Sequence, residues 1–107
     1  EAKDTGYAIT WAELTSQVKT FTTDAATDQA YSFSSVPTSA DVGKTVCIAN
    51  VNAAPGKITL TLPTGVTCDN LSTAGGTVYW TGGNVTFRLM TATVMQIVGA
   101  NATVSYS

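Results

Sequence analysis

The sequence predicts an all-β domain, a β-sandwich or jelly-roll-like fold with a short N-terminal helix. Three observations carry that reading. Residues 56–98 run as short alternating segments (GKITLTLPTGVTCDN, GTVYW, GGNVTFRLMTATVMQIVG) broken by Gly, Pro and Asn, the punctuation of strands and turns. Thr fills roughly a fifth of the chain, and its β-branched side chain fits a pleated sheet. Charged residues are only 11% of the 107 residues while hydrophobic ones are 44%, enough apolar surface for one core and one domain.

The elements follow in order. Thr10-x-x-Glu13 has the spacing of a capping box, and Trp11, Leu14, Val18 and Phe21 then recur as one face of a short amphipathic helix. Residues 1–28 therefore read as a lead-in and residues 29–107 as the sandwich. Thr20–Thr27 reads as a loop. Ala30–Ser34 alternates with Tyr31 and Phe33 on one face and is broken by Val36-Pro37, because Pro has no amide for a ladder. Thr38–Gly43 is a turn or a single helical turn. Lys44–Val51 is apolar on both faces, which places it centrally. After the Pro55-Gly56 turn, Lys57–Leu62 alternates cleanly, with Ile58, Leu60 and Leu62 inward. Gly65–Asp69 is a shorter extended piece. Thr77–Trp80 and Val85–Met90 flank Gly82-Gly83 as a hairpin, and Thr93–Val98 and Ala102–Tyr106 extend it into a meander.

The chemistry is sparse. There is no His, the commonest general base, and Asp69 is the sole carboxylate of the β-rich half, because Glu1, Asp4, Glu13, Asp24, Asp28 and Asp41 all precede it. No catalytic residues, cofactor or metal site are expected. Asp24 with Asp28, and Asp69-Asn70, read as caps and turns, and Gly75-Gly76 and Gly82-Gly83 as turns. A net charge of −2 and a pI near 4.6 supply no basic stripe for nucleic acid. No apolar run reaches the roughly 20 residues of a membrane-spanning helix. Glu1 in place of an initiator Met is expected of a processed chain or a fragment.

What remains is binding and association. Tyr79 and Trp80 are strand neighbours and must face opposite ways; with Val78 aligned with Trp80, Trp80 is inward and Tyr79 outward. Tyr79 is then a candidate ligand contact, and Arg88, facing out of its strand, a second. Thr93–Val98 is apolar on both faces, Met95 and Ile97 on one and Val94 and Val98 on the other. Val94 and Val98, with Trp11 and Leu14 of the helix, are candidate subunit contacts. Cys47 and Cys68 admit two readings, small buried apolar residues or a disulfide.

GKTVCIANV, a Pro-Gly turn, KITLTLPTGVTCDN, a Gly-rich interval and GGNVTFRLMTATVMQIVG together resemble the small β-domains of tailed-bacteriophage fibres and virion attachment proteins. The match covers residues 43–99. It departs where Met95 stands in place of a frequent aromatic, and the cysteine pair is not part of the pattern. The resemblance implies a non-enzymatic structural or adhesive domain of an extracellular virion. It would assemble as a homotrimer with other virion proteins, its role either recognition of a host-surface glycan or attachment and trimerisation of a fibre. Two alternatives belong to other classes: a capsid decoration or surface-layer protein, and a secreted carbohydrate-binding or pilus-like module.

Overall fold

Alternation of apolar and β-branched residues survives into the structure as strands with one buried face. The computed structural model describes residues 1–3 and 6–107; Asp4, counted above among the N-terminal acids, lies outside them. The strands are β1 (Ala8–Ile9), β2 (Lys19–Thr23), β3 (Gln29–Phe33), β4 (Thr45–Asn50), β5 (Lys57–Thr61), β6 (Thr67–Cys68), β7 (Thr77–Thr81), β8 (Gly83–Thr91), β9 (Val94–Ala100) and β10 (Ser105–Tyr106). They form two five-stranded sheets, ordered β1-β3-β5-β7-β10 and β2-β4-β8-β9-β6. Both sheets bury side chains in one core, in which Trp80 of the first meets Phe87 of the second at 5.8 Å between ring centroids.

All-β therefore holds, but the winding is not that of an antiparallel sandwich or jelly roll. From β1 to β5 the chain crosses to the other sheet at every strand and returns to lie parallel to the strand two before it. Ile9 pairs with Phe33, Phe21 with Ile48 and Tyr31 with Leu60, all in parallel register, and Ala2 bridges Thr22 in the same sense. Each circuit takes roughly 20–30 residues, the period of a solenoid, so the first half is a β-solenoid-like coil. The second half closes it with antiparallel strands: β7 pairs with β5 and β10, and β8 with β4 and β9. The expected Gly82-Gly83 hairpin is absent, because β7 and β8 belong to different sheets and the two glycines, both at positive φ, carry the chain between them. Only β8–β9 of the expected meander is a hairpin.

No N-terminal helix forms. The capping-box residues bound a single 3-10 turn, Trp11–Glu13, where the Thr10 amide donates to Glu13 Oε2 at 2.8 Å. Trp11, Leu14 and Phe21 are buried, as a helical stripe would have them, but Val18 is 55% exposed. The physical reason is β2: Lys19–Thr23 alternates, with Phe21 and Thr23 inward, and its β-branched Thr run favours a ladder over helical turns. The boundary at residue 28 thus runs between two strands of one core.

The corners of the coil are fixed by polar side chains. Asn50 is 4% exposed; its amide nitrogen donates to the carbonyls of Ala25 at 2.9 Å and Gly56 at 3.1 Å, and its oxygen accepts from the Ala25 and Asn52 amides. One side chain so satisfies backbone groups of two stacked corners that would otherwise be buried unpaired. Asp28 Oδ1 accepts from the Lys57 amide at 2.9 Å. Gly56 sits where those corners touch, and a Cβ there would collide with the Thr27 carbonyl.

Candidate functional site

Three surfaces follow from this winding. The first is the end of the molecule at which β2 and β4 begin and β3 ends. Here Trp11 stacks on Phe33 at 4.7 Å and donates its indole N–H to Ser35 O at 3.0 Å. Lys44 Nζ donates to Trp11 O at 2.7 Å and pairs with Asp41 at 2.8 Å, and that ion pair holds the Asp41 carboxyl below its usual range. The Gly43 amide donates to Leu89 O at 2.8 Å, bringing the end of β8 alongside. Loops tied this way leave Val18, Val36, Val42 and Met90 at the same end, four of the seven large apolar side chains exposed among the described residues. A groove of about 450 Å³ adjoins Met90 and is lined also by Asp69, Asn70, Val94, Met95 and Gln96.

The expected subunit contacts fare unevenly. Trp11 and Leu14 are 5% and 2% exposed; they are core of this chain and offer nothing to a neighbour. Val94 is half-buried in the groove, and Val98 is 45% exposed. The β8–β9 register slips twice, at Thr86/Phe87 and Leu89/Thr91. Val98 and Met90 are the extra residues of those two bulges, which turn them out of the ladder. Whereas Met90 alternates with Leu89 in its strand and faces out accordingly, Val36 and Val42 were missed by periodicity because they lie in loops. Their signal was an apolar residue between turn formers, in Ser35-Val36-Pro37 and Asp41-Val42-Gly43.

The second surface is the outer face of the first sheet. Tyr79 is half-buried and faces out, opposite the buried Val78 and Trp80. It lies in a row across four strands, Ala30, Thr59, Tyr79 and Ser105, with Lys57 Nζ 5.3 Å from its ring centroid. Arg88 is not there. It faces out of the second sheet, where its Nε donates to Thr45 Oγ1 at 3.3 Å, so the structure does not bring the two expected ligand contacts together.

The third surface is the start of the coil, where Lys3 lies 4.1 Å from the Tyr7 ring centroid. Lys3 and Lys19 both reach Glu1, at 2.8 and 3.1 Å, and Lys3 first among them holds that carboxyl down to about 2. Tyr7 donates to Glu13, which raises the Tyr7 hydroxyl's pKa. This is a polar cap over Phe21, of the kind a terminal coil needs.

The cysteines are free. Cys47 on β4 and Cys68 on β6 are three strand spacings apart in their sheet, about 14 Å at the usual inter-strand distance, twice what a disulfide spans. Burial, then the Asp69 charge, pushes the Cys68 thiol up to about 12. Asp69 and Asn70, both at positive φ, are the central pair of a tight turn closed by the Leu71 amide on Cys68 O. The Asp69 carboxylate accepts from the Ile97 amide at 3.2 Å and the Tyr106 hydroxyl at 2.8 Å. Among the described residues no group of three or more His, Cys, Asp or Glu could hold a metal ion. Comparison with protein-family models, with curated proteins and with solved structures gives no match.

Proposed function

We propose that this chain is a non-enzymatic structural and adhesive domain of a bacteriophage fibre, assembled on the virion as a homotrimer and touching other virion proteins. The observation that carries the reading is the apolar end, where Val18, Val36 and Val42 on loops tied to the core and Met90 on the bulge of β8 stand exposed. Clustered apolar side chains held by rigid loops are what a subunit interface needs. Scattered singly they would need no explanation. The resemblance of residues 43–99 to fibre domains supports the same reading, as does a coil whose strands stack along one direction, a shape suited to an elongated appendage. In this reading the two sheets are the sandwich of a fibre domain in wound form.

Light scattering on the purified chain tests it. A trimer is expected, and Val42→Glu with Met90→Glu is expected to give a monomer with an unchanged circular dichroism spectrum. A chain that stays monomeric at about 100 µM, a concentration at which even contacts of micromolar Kd would be filled, would sink the proposal.

A further inference from the structure

The unspent hydrogen-bonding capacity of this surface converges on one place. Of the four tyrosines, Tyr7 donates to Glu13, Tyr31 to Lys3 O and Tyr106 to Asp69; among the described residues only the Tyr79 hydroxyl has no acceptor. The four lysines divide the same way. Lys3 and Lys19 reach Glu1, and Lys44 reaches Asp41, whereas the Lys57 ammonium meets no oxygen among the described residues. These two are neighbours, with the ammonium 5.3 Å from the ring centroid. Around them the strand register sets a row of hydroxyls: Thr59 and Ser105 flank Tyr79, Thr81 stands opposite Lys57, and Thr61 opposite Thr77. The strands β5, β7 and β10 carry no carboxylate of their own, and Asp28 at the corner beside β5 is engaged by the Lys57 backbone amide at 2.9 Å, not by its ammonium.

We infer that the Lys57–Tyr79 face of the first sheet binds a carboxylated sugar of an acidic polysaccharide. A carboxylate has two oxygens; one accepts from the ammonium and the other from the phenol, a charge-assisted pair stronger than neutral hydrogen bonds. The threonine and serine hydroxyls, which both donate and accept, suit the hydroxyls of the sugar ring. An extended sheet face accommodates a chain of such rings in a way that a closed pocket would not. The site lies away from the apolar end and leaves it free for assembly. It rests on the adhesive part of the reading above and gives that part a ligand class.

The test is titration of the chain with polygalacturonate, dextran and dextran sulfate in low salt, with the mass of the protein measured in the same samples. Saturable binding to polygalacturonate is expected, with none to dextran and weaker binding to dextran sulfate. Lys57→Met and Tyr79→Phe should each weaken it by ~10-fold, the loss of one charge-assisted contact. Lys19→Met, the same charge change on the other sheet, should leave it within about twofold, since an exposed ion pair contributes little. Equal binding of dextran sulfate, or a loss in Lys19→Met as large as in Lys57→Met, would mean general charge attraction and overturn the inference. A trimer that binds none of the three polymers overturns it and leaves assembly standing. A monomer that binds polygalacturonate through Lys57 and Tyr79 supports it and removes the trimer.

Discussion

The coil of β1–β5 and the antiparallel closure of β7–β10 solve the same problem differently. In the closure one ladder is local: β8 and β9 are joined by the two-residue link Ala92-Thr93, whose Thr93 amide donates to Thr91 Oγ1, and at the other end of that hairpin Asn101 accepts from the Asn84 amide at 2.7 Å. In the coil no two consecutive strands pair at all, so register must be set at the corners, by Asn50, Asp28 and the close approach at Gly56. Parallel winding thus moves the specificity of a fold from its strands to its bends. The same two regions also divide the surface, with the polar cap at the start of the coil and both exposed bulge residues in the closure.

The comparison is broken most severely by removing what the halves share. Phe87→Ala deletes the ring that meets Trp80 across the core and is expected to cost about 3–5 kcal/mol, read as a fall in the urea midpoint; a loss under about 1 kcal/mol would mean the sheets hold without that contact. Asn50→Ala is expected to cost about 2–4 kcal/mol, because it strands buried amides and carbonyls of two corners. Asn101→Ala, on an exposed turn, should cost about 1 kcal/mol. Equal losses from the two asparagines would erase the distinction between corner-set and hairpin-set register. Gly56→Ala forces two corners apart and should cost about 1–3 kcal/mol, with hydrogen exchange accelerating in β2 to β5 before β8 and β9.

The smallest effect expected is electrostatic. Lys44 lowers the Asp41 pKa in the folded state from its ordinary value of 3.8. The unfolded chain then binds the proton more readily, so stability from this pair is present at neutral pH and is lost as the pH falls from that ordinary value through the folded one. Asp41→Asn should therefore flatten part of the acid limb of a stability–pH curve and lower the neutral plateau slightly. An acid limb unchanged in the variant would show that the ion pair contributes nothing measurable.

Strands with a clean period of two were legible in the sequence, and their burial with them. Lys57–Thr61, Thr77–Thr81 and the β8–β9 pair appear where alternation placed them, and Tyr79 and Trp80 face as expected. What alternation could not carry was which strand pairs with which, because a Gly-Gly link serves equally to fold a hairpin or to cross between sheets. Nor could it separate a helical stripe from a 3-10 turn followed by a strand: Trp11, Leu14 and Phe21 are buried in either case, and only Val18 tells them apart. The exposed valines of the candidate interface escaped because a loop residue has no period. Arg88 and Tyr79 were both rightly outward, yet facing is a property of one strand, whereas sharing a site depends on the sheet order.

Parallel winding also has a consequence in time. Every ladder of the coil joins segments a full circuit apart, so its loop-closure entropy must be met before any pairing rewards it, while the β8–β9 hairpin closes over the two residues Ala92 and Thr93. Folding is expected to start in the closing hairpin, with the coil laid down on β8 through β4; pulse-labelled exchange that protected β2 before β9 would refute this. During synthesis the β1–β5 segment emerges first and must wait, threonine-rich and without its closing partners, for the strand that templates it. The nascent chain is then most exposed to its neighbours while it is longest without its closing hairpin. A chain that meets other copies of itself in that interval has the opportunity to assemble as it folds.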